Sequence, residues 1–519
     1  ACLYVLLNEA QLSDQYGSLE GNGQLFLAIT LLAVVLEMAR RAIGWPLPMV
    51  ALVAIVYGLF GQYLPGEFGY PGMPIESFLG TLTIAEGGIW GSLTGISVNI
   101  VAVFVIMGAV LNAGEAGQGF MNLASAAAGH LRGGAAKVSV LSSAFFGSIS
   151  GSASANVAST GAITLPAMRR LGYPPALAGA VEAVASSGGQ ILPPLMGAGA
   201  FVMVELTGIP YTEIILAALF PAILYFVAVW IGINAFASRY DLAGLARDDR
   251  PTTRDVVVTV LFFAVPFGVL LERMFLGGFT PQYAACVAIL ISFVMLLIDA
   301  RFTLSVARTR ARIEGVCVNA GKQISMIAAI IICASIVIGV LGQTGLGVKI
   351  TSLILSVSGD MLWPALMLTA IACLILGMEV PTTAAYVICI SVAGPALQQL
   401  GLPPLQAHLF VFWFALLSTI TPPVCGAVFI AAGMVEENWL RVAGYAMMLG
   451  LGLYLVPLGM IVNPSLIELA ETPIQASWAL VKIGTGLGAI SFGIISPRNI
   501  WVRIGLVIIG AVLIFAPLP

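Results

Sequence analysis

Ten runs of this chain are apolar over fifteen or more residues, at 24–38, 46–64, 95–113, 211–238, 256–275, 283–298, 324–341, 439–462, 478–495 and 500–517. A hydrocarbon core about 30 Å thick takes about 20 helical residues to cross. Inside lipid every backbone N–H and C=O must be satisfied within the protein, which leaves helices or closed barrels. Continuous apolar runs, with no alternation of polar and apolar residues, select helices. The charge content agrees: 21 Lys+Arg and 24 Asp+Glu among 519 residues, with 60% hydrophobic residues, where soluble domains carry roughly a quarter charged. An all-α polytopic membrane protein is expected. A nucleic-acid binder, a secreted disulfide scaffold and a cytosolic enzyme are excluded. The seven cysteines are scattered without CxxC spacing and read as small apolar residues. Residues 1–8 read as the end of a helix whose beginning lies outside this sequence, because ACLYVLL is too short to cross and lacks the basic start of a signal peptide.

Basic residues give the orientation, since they favour the cytoplasmic side. With Arg40 and Arg41 inside and the spans alternating from there, every Lys and Arg except Arg273, Lys349 and Lys482 falls on that same side. The spans were placed by hydropathy alone, so this bias tests them independently.

Three stretches between the spans are apolar but broken by Gly, Pro, Ser and Thr. Residues 136–168 have basic residues at both ends and are short for two full crossings, and their middle reads GSISGSASAN. Irregular backbone at membrane depth survives only against protein or a water-filled cavity. The segment therefore reads as a re-entrant helical hairpin; the plainer alternative is a pair of short helices with a Ser-rich bend.

The run PAMRRLGYPP at 166–175 returns as PALQQLGLPP at 395–404, an offset of 229. The same offset carries Pro193, Pro194 and Gly197 onto Pro422, Pro423 and Gly426, and Ser154-Ala155 onto Thr383-Ala384. One gapless register over more than forty residues is a duplication. Five crossings separate equivalent points, an odd number, so the copies are inverted and the second hairpin, 361–397, opens outward. Each hairpin leads into an interrupted helix, 174–208 and 403–435, broken at SSGGQILPP and STITPP. Proline frees the carbonyl one turn back. Freed carbonyls and hydroxyls suit a small hard cation, and half-helix N-termini suit an anion. Inverted repeats with interrupted helices are the architecture of secondary transporters. The layout is then 9–92 for the leading helices, 93–299 and 300–463 for the two repeats, and 464–519 for the closing helices.

The stretch GSISGSASANVASTGAITLPAMRRLGYPPALAGAVEAVASSGGQILPPLMGA resembles the first hairpin and broken helix of the large membrane subunit of tripartite ATP-independent periplasmic (TRAP) transporters. VLEMARRAIGWPLPMVALVAIVYGLFG, joined directly to that region, resembles the fused small-plus-large permeases that work with TAXI-type binding proteins, making 9–92 small-subunit-like. The resemblance implies a multi-pass bacterial inner-membrane importer of small organic acids, driven by a sodium gradient and supplied by a periplasmic TAXI-type binding protein. It further implies an elevator-type fold similar to the ion-transporter superfamily, Na+ as coupling ion and no organic cofactor. Carried over by position, the first sodium site would use Ser150, Ser152, Asn156, Gly188 and Gly189, and the second Gly377, Thr382, Thr383, Thr419 and Pro422. Substrate would sit near Ser154, Asn156 and Thr383. The second tip departs from the first, reading Glu379-Val-Pro381-Thr-Thr against Ser150-Gly-Ser152-Ala-Ser, so the two sites are not expected to bind equally.

Hydroxyls in membrane helices also bond back to the i−4 carbonyl or tie helices together. Glu182 and Glu379 are intramembrane carboxylates and so functional candidates, the alternative for each being hydration near a helix end. His130 and His408 read as interfacial or packed. A tip serine acting as nucleophile would need a base within hydrogen-bond reach, and neither histidine is placed for it, so no enzyme is expected. A channel lined by the hairpins, and a stand-alone sodium/carboxylate carrier without a binding protein, share the physical features; only the resemblance argues for the binding protein.

Overall fold

The computed structural model describes residues 1–377 and 380–517, and these are helical almost throughout. Among the described residues seven helical segments are long and apolar enough to cross a membrane: Pro46–Tyr63, Ser92–Ala113, Tyr211–Tyr240, Arg247–Leu276, Val306–Thr344, Trp439–Val462 and Pro473–Ile495. The runs at 283–298 and 500–517 form the shorter helices Pro281–Met295 and Ile500–Phe515, and that at 24–38 lies within Gly21–Ile43. One boundary differs from hydropathy. The run at 324–341 is the apolar half of a 39-residue helix, about 58 Å at 1.5 Å per residue. Its leading turns carry Arg308, Arg310, Arg312 and Lys322, and Arg and Lys are good helix formers. Arg312 anchors them, pairing with Glu115 at 2.5 Å and donating to the Leu296 and Ile298 carbonyls at the end of Pro281–Met295.

The chain forms two compact units. The first comprises Ala1–Ala102, Phe201–Gly208 and Gly321–Val411; the second comprises Val103–Ala200, Ile209–Ala320 and Phe412–Pro519. In the first unit the core gathers Leu32, Leu47, Phe78 and Leu82 with Ile336, Val340 and Ala384. In the second, Pro473–Ile495 and Ile500–Phe515 approach so closely that a Cβ on Gly486 would meet the Gly510 carbonyl at 2.8 Å. Dispersion in such contacts, rather than a hydrophobic drive, holds helices together in lipid.

Each repeat contains a hairpin and a broken helix. The first hairpin pairs Gly134–Ser150 with Ala153–Arg170 across Gly151, left-handed at φ +62°, and Ser152, whose hydroxyl accepts from the Ala155 N–H at 3.3 Å. Its arms of 17 and 18 residues reach only about 26 Å each. The second pairs Leu362–Leu376 with Thr382–Gln399; Met378 and Glu379 lie outside the described residues. The first broken helix runs Pro175–Gly188, a tight turn Gly189–Ile191, then Gly197–Thr207. The second runs Pro404–Leu417 and Gly426–Val435. Pro193-Pro194 and Pro422-Pro423 are both joined by cis peptide bonds, so the offset of 229 holds down to backbone conformation.

In a background without the native cysteines, a cysteine at the exposed position of Ala243 is expected to react with an impermeant maleimide only from the cytoplasmic side, and one at Glu67 only from the outside. Cysteines at Arg169 and Gln398 are expected on opposite sides; reaction of both from one side would refute the inversion.

Candidate functional site

The first hairpin meets its broken helix backbone against backbone. A Cβ on Gly147 would lie 2.6 Å from the Gly189 Cα and 2.6 Å from Asn156 Nδ2, and one on Gly151 would lie 2.9 Å from the Gly197 Cα. Gly147 stands in the last turn of the first arm and Gly151 is its left-handed cap. Asn156 is fully buried. Its Nδ2 donates to the Ser143 carbonyl at 2.8 Å and the Ser186 carbonyl at 3.5 Å, tying both hairpin arms to the broken helix. Ser150 Oγ is buried and has no hydrogen-bond partner among the described residues, which is uncommon for a buried polar atom.

Of the five residues expected at the first sodium site, Asn156 and Gly189 therefore converge on Gly147, and Gly188 adjoins Gly189 in the chain. Ser150 lies one turn further along the arm, and Ser152 caps the next helix. The buried Ser150 hydroxyl and the Asn156 carboxamide are oxygen-bearing groups of the kind that a small hard cation takes.

The residues expected at the second site are divided between the units: Gly377, Thr382 and Thr383 belong to the first, Thr419 and Pro422 to the second. Gly377 ends the first arm, its N–H donating to the Cys373 carbonyl at 2.8 Å, and Thr382 and Thr383 open the second arm. Thr419 Oγ1 lies 2.9 Å from Ser187 Oγ, so the breaks of the two interrupted helices touch. Ser154 lies beside the start of Gly426–Val435, its Oγ 3.7 Å from where a Gly426 Cβ would stand. Glu379 is outside the described residues.

Tyrosines not singled out in the sequence brace both breaks. Tyr225 donates to the Val184 carbonyl at 2.6 Å, and its ring closes on Gly188, where a Cβ would lie 2.0 Å from Cε1. Tyr454, at the offset of 229 from Tyr225, sits 2.6 Å from Thr421 Oγ1. Tyr211 hydroxyl lies 2.6 Å and 2.9 Å from the Pro194 and Leu195 carbonyls just past the first break. The signal was present, since the repeat register extends to Tyr225 and Tyr454, but an isolated tyrosine in an apolar run reads as core.

Glu182 is not at a hydrated helix end. It is 0% exposed and ringed by hydroxyls: Ser139 at 2.7 Å, Ser143 at 3.0 Å, Thr164 at 2.5 Å, Ser186 at 3.3 Å, and Thr160. Asn156 and Thr160 are linked, the Thr160 hydroxyl lying 2.8 Å from the Asn156 carbonyl. His408 is buried with Nδ1 2.7 Å from the Tyr386 hydroxyl, a packed pair as expected.

A family model described as "Tripartite ATP-independent periplasmic transporter, DctM component" matches residues 30–473. The C4-dicarboxylate TRAP transporter large permease of Pseudomonas aeruginosa is 27% identical over 335 residues, 64% of this chain and 76% of that protein. The 2,3-diketo-L-gulonate TRAP transporter large permease of Escherichia coli is 25% identical over 341 residues, 64% and 76% respectively. The isethionate TRAP transporter permease of Oleidesulfovibrio alaskensis is 26% identical over 396 residues, 72% of this chain and 61% of that protein. Among solved structures, the YdaH transporter of Alcanivorax borkumensis superposes with a TM-score of 0.55 at 16% identity, covering 85% of this chain and 99% of that one, a likeness of fold.

Proposed function

Because this chain belongs to the DctM component family of tripartite ATP-independent periplasmic transporters, and so is a multi-pass inner-membrane protein, we propose that it imports small organic acids by sodium-coupled secondary transport. Substrate arrives from a periplasmic binding protein of the TAXI type, and residues 9–92 serve as small-subunit-like and scaffold helices, those from residue 30 onward lying within the match to the DctM component. The relatives named for C4-dicarboxylates, 2,3-diketo-L-gulonate and isethionate support a small organic anion as cargo. The single observation that carries sodium coupling is the first hairpin tip, where Ser150 Oγ is buried without a partner among the described residues and Asn156 and Gly189 converge on Gly147.

In this reading Ser150, Ser152, Asn156, Gly188 and Gly189 hold one sodium ion, and Gly377, Thr382, Thr383, Thr419 and Pro422 a second. Ser154, Asn156 and Thr383 meet the substrate. A cation held by neutral oxygens supplies the positive charge that a carboxylate needs in a site with no Lys or Arg at either tip. The hairpins and broken helices move as an elevator against the remaining helices. The outer loops at 67–76 and 468–471 are acidic and offer no strong electrostatic handle, so docking of the binding protein rests on shape and is transient.

The test is uptake of labelled C4-dicarboxylate and related acids into proteoliposomes, with and without the cognate binding protein, under an inward sodium gradient. Accumulation is expected only with both protein and gradient present. Robust sodium-driven uptake by the membrane protein alone would replace this reading with a stand-alone sodium/carboxylate symporter.

A further inference from the structure

Glu182 is the one fully buried carboxylate among the described residues, and sodium binding at the hairpin tip does not use it. Its surroundings are built from three pairs at i, i+4 spacing, one from each of three helices: Ser139 and Ser143, Thr160 and Thr164, Glu182 and Ser186. Residues four apart lie on one helix face, so three helices turn a polar face toward one point. All five hydroxyls reach the carboxylate.

Five hydroxyl hydrogens can fill the lone pairs of a carboxylate, but they cannot cancel its charge. Burying a charge without a counter-charge is costly. Lys137, on the arm that carries Ser139, lies instead over the Trp230 ring at 4.9 Å. Arg169 and Arg170 are exposed at the far end of the second arm, Arg441 pairs with Glu437, and Arg239 lies over the Tyr240 ring. The tyrosines of the neighbouring helices bond elsewhere: Tyr225 to Val184, Tyr240 to Tyr445, and Tyr173 to the Ala136 N–H. None of these groups bonds to Glu182.

The second repeat shows that the fold does not require this polarity. At the offset of 229 the six positions become Leu368, Ala372, Cys389, Ala393, Val411 and Ala415, all apolar. One copy fills these places with apolar side chains and the other with a carboxylate and five hydroxyls, which separates the cluster from any role in helix packing common to both.

We propose that Glu182, with Ser139, Ser143, Thr160 and Thr164, forms a sodium site that belongs to the first repeat alone and is distinct from the hairpin-tip site. The donors are all oxygen, which selects a hard cation. A single negative charge selects a monovalent one, since a divalent ion would leave the buried site positive. Hydroxyls turn about their C–O bonds, so the oxygens that donate to the carboxylate in one state offer lone pairs to a cation in the other. The Thr160 hydroxyl lies 2.8 Å from the Asn156 carbonyl and 3.3 Å from Asn156 Oδ1, which links this site to the tip. The proposal rests on sodium being the coupling ion and adds an ion to the count.

The test is sodium binding by the purified full-length protein in nanodiscs, measured with 22Na against choline at constant ionic strength and pH. The Glu182→Gln variant, which keeps the shape of the side chain but removes its charge and one acceptor oxygen, is expected to bind one sodium ion fewer than wild type. Thr164→Val, a milder change that keeps the carboxylate, is expected to weaken one class of sites roughly 10-fold or more, as loss of a supporting partner does at other metal sites. Asn156→Ala is expected to leave the Glu182 site occupied. If wild type binds sodium and both Glu182→Gln and Thr164→Val match it in number and affinity, the site is refuted while sodium coupling at the tip stands. If wild type binds none, both fail. If Glu182→Gln changes only the pH dependence of transport, the occupant is a proton and the metal site is withdrawn.

Discussion

Alanine at Gly147 is expected to abolish sodium-driven uptake and to destabilise the protein. The added methyl would stand 2.6 Å from the Gly189 Cα and 2.6 Å from Asn156 Nδ2, closer than carbon atoms pack at about 3.5–4.0 Å. One obstacle is backbone, which cannot swing aside as a flexible side chain can. Overpacking of this kind costs about 1–3 kcal/mol, and the relief available is to part the hairpin from the break, the one movement that separates the proposed sodium ligands. Gly188→Ala is expected to behave similarly by displacing the Tyr225 ring. The control is Gly315→Ala in the 39-residue helix, where no atom of the described residues outside the helix's own backbone stands within 4 Å of the new Cβ. There the gain in helix propensity, up to about 1 kcal/mol, should leave stability equal or higher. Thermal unfolding in detergent and proteoliposome uptake measure both effects. Wild-type transport by Gly147→Ala would mean that the close approach is not part of the working site.

The same glycines mark how much could be read without coordinates. Both hairpins, both breaks and their spacing were legible, because Gly, Ser and Pro interrupt apolar runs that otherwise continue, and because the offset of 229 repeats Pro193-Pro194 at Pro422-Pro423. The surroundings of Glu182 were not. A serine or threonine in a membrane helix commonly bonds its own i−4 carbonyl, and Ser142, Ser159 and Ser187 do so here. Each i, i+4 pair fixes a face of its own helix, but nothing in the spacing says that three such faces converge. The start of the helix at Val306 was hidden for a different reason. Charge marks where a helix leaves lipid, and Arg-rich turns are as helical as apolar ones. The braces from Tyr211, Tyr225 and Tyr454 depend on tertiary approach, which a single tyrosine does not announce.

Removing a ligand at the hairpin tip is expected to act on sodium dependence more than on folding. Ser150→Ala deletes a hydroxyl that is buried and bonds to none of the described residues, so the fold should tolerate it. If that oxygen serves the ion, the sodium concentration for half-maximal uptake rises. Asn156→Ala removes in addition the bonds to the Ser143 and Ser186 carbonyls, and leaving such groups unpaired costs about 1–3 kcal/mol. It should therefore weaken sodium dependence and lower thermal stability, with part of the stability returned at high sodium. Coupling is reciprocal: if sodium raises substrate affinity, substrate raises sodium affinity by the same factor, typically about 5- to 150-fold for 1–3 kcal/mol. Measured by substrate binding at graded sodium, that factor should shrink toward one in Ser150→Ala while substrate binding without sodium stays as in wild type. A mutation that merely loosened the hairpin would lower both. Unchanged sodium dependence in both variants would show that the tip does not hold the ion, and the orphaned Ser150 hydroxyl would then call for a different occupant.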